Sequence, residues 1–322
     1  MPLLAGIGRD ALAELAAAAR PFAAGDGETV FRPGDRAIGL YLLESGLLEI
    51  ATRIPGDDRA AINRIAPGEV VGEYALLDPG PRTAAVRALA PSAGLFLGAG
   101  PFAVMLGEGR AGAVALADRL RVLVASRTRT TLERIAAGAA VDECELRAPP
   151  GPAAERVVAA DPALLRGLAP FDSLDEAELA VCLAAGTAIA VPRGTASFAA
   201  GSPSEFVLGV IRGAVRVGIA RGARLEQVAI HGPGEWAGLL AMIDRGRQPL
   251  AAAAAEHTVL LRVPLTAFDR WRAMSNRAGQ AVMAAVGRQL VRDQRRANRH
   301  LGRAIALDRF NDPGAGNPGE SA

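Results

Sequence analysis

The sequence predicts a mainly β protein with flanking helices, built as two copies of one compact sandwich or barrel. Three observations predict it: a self-repeat, a dense series of turn signals between short apolar runs, and helical patterns at the edges of each copy. The repeat comes first. A shift of 167 residues pairs Leu12 with Leu179, Gly27 with Gly194, Phe31 with Phe198, Gly34 with Gly201 and Gly46 with Gly213. One residue is then lost in a turn. A shift of 166 pairs Gly56 with Gly222, Gly68 with Gly234, Gly72 with Gly238 and Phe102 with Phe268. Glycines that recur in register mark backbone positions needing positive φ or a close approach, so the same turns are used twice.

Within the first copy, Asp10–Arg20 is rich in alanine and leucine and reads as a helix. Turn signals follow: RPGD (Arg32–Asp35), SG (Ser45–Gly46), PGDD (Pro55–Asp58), PG (Pro67–Gly68) and DPGP (Asp78–Pro81). Between them lie TVF, GLYLL, LLEIAT and AINRI, short strands at a spacing that suits a sandwich or barrel. The stretch Ala88–Gly107 carries no charge and is long enough to span a bilayer, but Pro91, Pro101 and several glycines make it a strand and a brief helix. Gly112–Ala137 is a helix that places Leu116, Leu120, Leu123 and Leu132 near one face, and Arg277–Asp308 ends the second copy with Val282, Val286, Leu290, Leu301 and Ile305 on one side. The break APPGPA (Ala148–Ala153) suits neither a helix nor a central strand. The expected organisation is a first domain over 1–147, a linker over 148–165, a second domain over 166–310 and a disordered tail over 311–322.

Composition excludes several classes. Half of the 322 residues are hydrophobic, enough for two cores, and the formal net charge is +2, every basic residue of the Lys+Arg set being arginine. Cys144 and Cys182 have neither disulfide-framework nor zinc-knuckle spacing, and no basic run followed by an apolar core opens the chain; a reduced, cytoplasmic, membrane-free protein is expected. His231, His257 and His300 lack ligand-like spacing, and no nucleophile elbow, Walker loop or H-E-x-x-H occurs. No enzyme, metal or cofactor is expected.

The chemistry concentrates in GEYALLDPGPRTA, Gly72–Ala84. A glycine leaving a strand, small residues and a single helical turn expose backbone N–H groups that can bind phosphate. Arg82 adds a planar fork suited to a pair of phosphate oxygens. A carboxylate at Glu73 would be repelled by phosphate unless it faced another group, and a sugar hydroxyl is the natural donor to it. The composite ligand is a sugar phosphate with a free hydroxyl near the phosphate. The bland reading is a surface ion pair between Glu73 and Arg82, worth about 0–1 kcal/mol.

GEYALLDPGPRTAAVRA resembles the phosphate-binding cassette of cyclic nucleotide-binding domains, with Gly-Glu-x-Ala-Leu, a turn and Pro-Arg-x-Ala at matching spacing, and with PGD, SG and PG upstream where that family has them. The resemblance covers about Leu12 to Leu106 and the following helix. It implies a β jelly-roll, hence two tandem jelly-rolls each followed by a helix. It also implies a ligand site made of Gly72, Glu73, Tyr74, Ala75, Leu76, Pro81, Arg82, Thr83 and Ala84. Glu73 would hold the ribose 2′-hydroxyl and Arg82 the cyclic phosphate. The N–H groups of Ala75 and Thr83 would complete the phosphate cradle, and Gly72 would let the ribose approach the backbone. A hydroxyl at Thr83 admits cGMP without excluding cAMP, and family frequency favours cAMP.

The second copy departs from this pattern. Its stretch GLLAMIDRGRQPLAA puts Leu239 where Glu73 stands and Gln248 where Arg82 stands. Arg247 comes one position early, which in a strand turns a side chain to the opposite face. The second domain is not expected to bind cyclic nucleotide. An apolar ligand is the alternative to plain core packing for Trp236, Leu239, Leu240 and Met242.

For the readout, many proteins resembling the first copy append a helix-turn-helix of some sixty residues, and this sequence leaves no room for one, so DNA binding is not expected. Regulatory subunits of cyclic nucleotide-dependent kinases share the tandem plan, but the first domain here begins almost at Met1, without space for an inhibitory segment. Arg288, Arg292, Arg295, Arg296, Arg299, His300 and Arg303 form a basic stripe that an acidic partner could use, set against a solvated helix face produced by arginine-rich composition. The expected function is a non-catalytic sensor that passes cyclic nucleotide binding in the first domain to an unidentified effector protein, with a homodimer through the helices as a candidate assembly. The rival is a constitutive tandem scaffold that binds no nucleotide.

Overall fold

The computed structural model describes residues 2–54, 57–138, 143–145, 155–222, 224–274 and 276–311. In the first copy, α1 (Arg9–Ala18) precedes β1 (Ala19–Ala24), β2 (Thr29–Phe31), β3 (Gly39–Ile54), β4 (Asp57–Ile65) and β5 (Val70–Val71). A one-turn helix α2 (Tyr74–Leu77), β6 (Ala85–Gly98), α3 (Ala99–Gly107) and α4 (Ala111–Ala137) follow. The six strands form one antiparallel sheet in the order β1-β6-β3-β4, with β2 on β6 and β5 on β3. Its core holds Leu43, Leu48, Ile65, Val71, Val86 and Ala88. The uncharged stretch Ala88–Gly107 becomes the end of β6 and all of α3. Among the described residues no helix is long and apolar enough to cross a membrane.

The second copy repeats the plan. It contains β7 (Glu143–Glu145), β8 (Arg156–Val157), α5 (Pro162–Leu165), α6 (Glu176–Ala184), β9 (Thr187–Val191), β10 (Ala196–Phe198), β11 (Phe206–Arg212), β12 (Val215–Arg221), β13 (Arg224–His231) and β14 (Trp236–Ala237). The rest is α7 (Leu239–Asp244), β15 (Ala251–Ala254), β16 (Thr258–Pro264), α8 (Leu265–Ala273) and α9 (Arg277–Asn311). Two antiparallel sheets result, β10-β15-β12-β13-β7 and β14-β11-β16-β9-β8. Their facing side chains, among them Ile189, Val191, Leu208, Val215, Ala252 and Leu260, form the core. The architecture is the mainly antiparallel one with flanking helices that the sequence predicts, although the sheets do not close into barrels.

The repeated glycines have a common cause. Gly27, Gly34, Gly46, Gly68 and Gly72 and their five partners Gly194, Gly201, Gly213, Gly234 and Gly238 all have φ between +75° and +93°, a region that other L-residues rarely enter. One expectation needs correction. The SG pair at Ser45–Gly46 is not a turn between strands, because β3 runs through it as a bulge with shifted register. The Ser92 hydroxyl fastens the bulge, accepting from Leu47 N at 3.2 Å and donating to Ala90 O at 2.8 Å. The second copy repeats the device at Gly213: Thr258 Oγ1 accepts from Ala214 N at 3.3 Å and lies 3.0 Å from Glu256 O. There the strand does break, into β11 and β12.

Two compact units emerge, Met1–Leu123 and Val124–Ala322. The division falls within α4, upstream of the break read at Ala148–Ala153, which lies outside the described residues, as do residues 312–322 of the tail. Leu116 and Leu120 on the first half of α4 are buried, as are Leu132 and Ile135 on the second, while Leu123 is half-buried. The second half is built into the second unit. Arg129 forms a two-pronged ion pair with Asp244 at the end of α7, at 2.6 and 2.9 Å. Arg221 on β12 donates to the carbonyls of Ile135, Ala136 and Gly138 and so caps the helix.

Candidate functional site

The candidate site in the first unit begins where β5 ends at Gly72, whose φ of +82° turns the chain into α2. Glu73 is the N-cap residue of α2 and is 3% exposed. Ala75, Leu76 and Leu77 are buried, and α2 lies against α3 and β3. Asp78 ends the helix, and DPGP carries the chain to Arg82. That residue is pinned on both sides of its peptide, since Arg82 N donates to Asp35 O at 2.8 Å and Gly34 N donates to Arg82 O at 2.9 Å. The RPGD turn thus serves as the anchor of the cassette.

Arg82 is 7% exposed. Its Nη1 donates to Gly72 O at 3.1 Å and its Nη2 to Gly39 O at 2.7 Å. The guanidinium carbon lies 4.1 Å above the Phe31 ring centre and 5.9 Å from that of Tyr41. Tyr41 packs in turn on Phe22 and Phe96. A Cβ at Gly72 would stand 2.4 Å from Arg82 Nη1, so only glycine permits this arrangement without displacing the fork. Burial lowers the Arg82 pKa from its ordinary value, against the raising influence of Tyr41, Glu73 and Asp35, and the group remains a cation at neutral pH. Its Nε is buried and has no hydrogen-bond partner. A desolvated cation with one nitrogen unpartnered and two directed at carbonyls is well suited to receive an anion.

Of the nine site residues read from the sequence, Gly72, Glu73 and Arg82 are brought together. Glu73 acts electrostatically on Arg82. Ala75 and Leu76 are buried, Gly72, Tyr74 and Ala84 are half-buried, and Pro81 and Thr83 are exposed. The Ala75 N–H is already engaged, donating to Gly72 O at 3.1 Å, so a phosphate would have to draw it from the oxygen that also receives Arg82 Nη1. The sequence reading missed Gly39 and the aromatic wall of Phe31 and Tyr41. The Phe31–Phe198 pair in the repeat was the available signal.

The second unit keeps the backbone of this site without its charges. Gly201 N donates to Gln248 O at 2.8 Å and Gln248 N to Ser202 O at 3.0 Å, reproducing the two bonds that pin Arg82. Gln248 is 3% exposed and Leu239 2% exposed. Arg247 is exposed, with Nη1 on Gly201 O at 2.7 Å. The basic stripe of α9 is divided. Arg296 turns inward to Glu235 at 2.7 Å and Asp293 at 3.0 Å, and His300 is buried 2.7 Å from Glu226, while Arg299 and Arg303 are exposed. The stripe is therefore not one solvated face. Among the described residues, no group of histidine, cysteine or acidic side chains could hold a metal ion.

This chain belongs to the cyclic nucleotide-binding domain family, which matches residues 22–108 and again 188–274, more than half of its length. Both copies are therefore domains of that one family. Among curated proteins, "Acetyltransferase Pat" of Mycolicibacterium smegmatis is 39% identical over 84 residues, 26% of this chain and 25% of the relative. The "CRP-like cAMP-activated global transcriptional regulator" of Mycobacterium tuberculosis is 31% identical over 84 residues, 26% of this chain and 38% of the relative. The match thus spans well under half of either protein. Among solved structures, the N-terminal domain of a transcriptional regulator from Streptomyces coelicolor is 32% identical, covering 41% of this chain and 90% of that one, with a TM-score of 0.36. The regulatory domain of Toxoplasma gondii PKA, crystallised with cAMP, is 17% identical and covers 83% of this chain and 86% of that one, with a TM-score of 0.31.

Proposed function

We propose that the first domain binds a cyclic nucleotide, cAMP in preference to cGMP, and that the chain acts as a non-catalytic cytoplasmic sensor. The observation that supports this most is Arg82: buried, held over Phe31, its Nε without a partner, beside Glu73 at the start of α2. The phosphate would take the guanidinium donors now directed at Gly72 O and Gly39 O, with backbone N–H groups of Ala75 and Thr83. The Glu73 carboxylate would accept from the ribose hydroxyl. The preference for cAMP draws on the similarity to the cAMP-activated mycobacterial regulator, because the Thr83 hydroxyl suits either base. Binding would reposition α4 and pass the signal to an effector protein or to a second copy joined through helices.

Calorimetric titration of the purified chain with cAMP and cGMP, beside Arg82→Ala, tests the reading. One site, tighter for cAMP and weakened about a hundredfold in the variant (on the order of 2–5 kcal/mol), is expected. No heat with either nucleotide would favour the scaffold. For the relay, hydrogen exchange over Leu116–Leu132 is expected to change at saturating nucleotide; unchanged exchange would sink that part.

A further inference from the structure

The second domain holds a part-enclosed hollow whose enclosed part is about 40 Å³, within about 500 Å³ when the open space at its mouth is counted. It lies beside Gly238, at the place where Arg82 stands in the first domain. Its walls include Phe198, Val217, Leu239 and Leu250, with Thr128 and Leu132 of α4 along one side. Three observations decide what it can hold.

The first is charge. Leu239 and Gln248 replace the carboxylate and the guanidinium, and of the basic side chains that line the hollow Arg296 is engaged with Glu235 and Asp293 while His231 faces Asp293. A phosphate entering here would meet a neutral amide and balanced ion pairs, so its desolvation would go uncompensated. The second is an unused polar edge. The His231 side chain is 6% exposed and lines the hollow; its Nε2 faces Asp293 Oδ1 at 3.4 Å, and its Nδ1 has no hydrogen-bond partner. Gln248, 3% exposed, also lines the hollow, its Nε2 3.2 Å from where a Gly238 Cβ would be. Buried polar atoms are rarely left unmatched in folded proteins. The third is the apolar and aromatic lining, which favours a flat ring system over a sugar.

We propose that this hollow is a second ligand site, for an uncharged aromatic compound of about two rings that carries a hydrogen-bonding group and no phosphate. The rings lie among Phe198, Leu239 and Leu250, and the polar group meets His231 and Gln248. The site owes nothing to Arg82, so it stands or falls separately from nucleotide binding in the first domain. Because α4 contributes Thr128 and Leu132 to the wall, and Arg129 ties that helix to α7 through Asp244, an occupant touches the helix directly.

Prodan, neutral, built on two fused rings and carrying one carbonyl acceptor, is the probe, titrated into the full chain carrying Trp271→Phe so that Trp236 is the remaining tryptophan. Saturable dye fluorescence with quenching of Trp236 is expected, and the same binding in Arg82→Ala. Ala229→Phe, which fills the hollow, is expected to abolish it, and His231→Phe to weaken it about tenfold. Where the Ala229 variant does not fold, Gln248→Leu replaces it, with a loss of about tenfold expected, as for His231→Phe. No saturable binding, or binding indifferent to all of these changes, would overturn the site. Displacement of the dye by cAMP in the Arg82→Ala background would overturn its neutral-ligand character.

Discussion

Arg82→Gln reproduces in the first domain the residue that the second domain places on the same backbone. In the parent the guanidinium makes two charge-assisted bonds, to Gly39 O at 2.7 Å and Gly72 O at 3.1 Å. Each such bond contributes about 1.5–3 kcal/mol. Gly72 O keeps the Ala75 N–H when the guanidinium goes, and a glutamine amide can still donate to one carbonyl. Against the loss stands release of a buried cation whose pKa burial has lowered, a return of several kcal/mol in the general case. The two effects nearly cancel, so stability should change by about 1 kcal/mol or less in either direction. Affinity behaves differently. A phosphate would lose its paired cation, at about 2–5 kcal/mol, or on the order of 30- to 5,000-fold. Thermal melts and calorimetric titration of the same preparations separate the two quantities. Unchanged cAMP affinity would refute the assignment of Arg82 to the phosphate. A collapse of the first unit at ordinary temperature would instead make the arginine a structural strut.

Three other expectations follow from particular contacts. Gly72→Ala and Gly27→Ala meet similar backbone strain, at φ of +82° and +75°, of about 1–2 kcal/mol. Only at Gly72 does the new Cβ strike Arg82, since nothing lies within 4 Å at Gly27; melts should therefore fall in both, and nucleotide affinity only in Gly72→Ala. Arg221→Ala uncaps α4 and takes one partner from Glu226, which is fully buried but keeps His300; a loss near 3 kcal/mol in urea melts, with faster exchange at Ile135–Gly138, is expected, and a silent variant would show that the cap contributes little. For acid, burial works to raise the Asp293 pKa, but His231 and Arg296 beside it and a hydrogen bond from Gln289 outweigh it and hold the carboxyl below its ordinary value. A depressed carboxylate stabilises the fold above its unfolded value and loses that contribution as pH falls through the folded one. Melting temperature should thus drop below about pH 4, less steeply in Asp293→Asn; equal acid limbs would exclude this group as the cause.

The sequence by itself determined what local backbone geometry dictates. Five glycine pairs in register carried the repeat, because only glycine adopts those φ values cheaply, and the same turns then recur wherever the chain goes next. The cassette was legible for the same reason: Gly72, Glu73 and Arg82 are few, close in sequence and joined by a helix too short to vary. Loss of charge at Leu239 and Gln248 could also be read directly. Tertiary structure decided everything that depends on which strands and helices face each other. That SG is a bulge and not a turn rests on Ser92, 47 residues from Ser45. That Arg296 and His300 turn inward rests on Glu235 and Glu226, carboxylates from distant segments that no helical periodicity can reveal. Gly39 O and Phe31 reach Arg82 only after the sheet has formed, and the polar edge of His231 acquires meaning only beside a hollow. Sequence fixes what neighbours along the chain impose on one another, whereas burial and charge balance are properties of residues that meet only in the folded state.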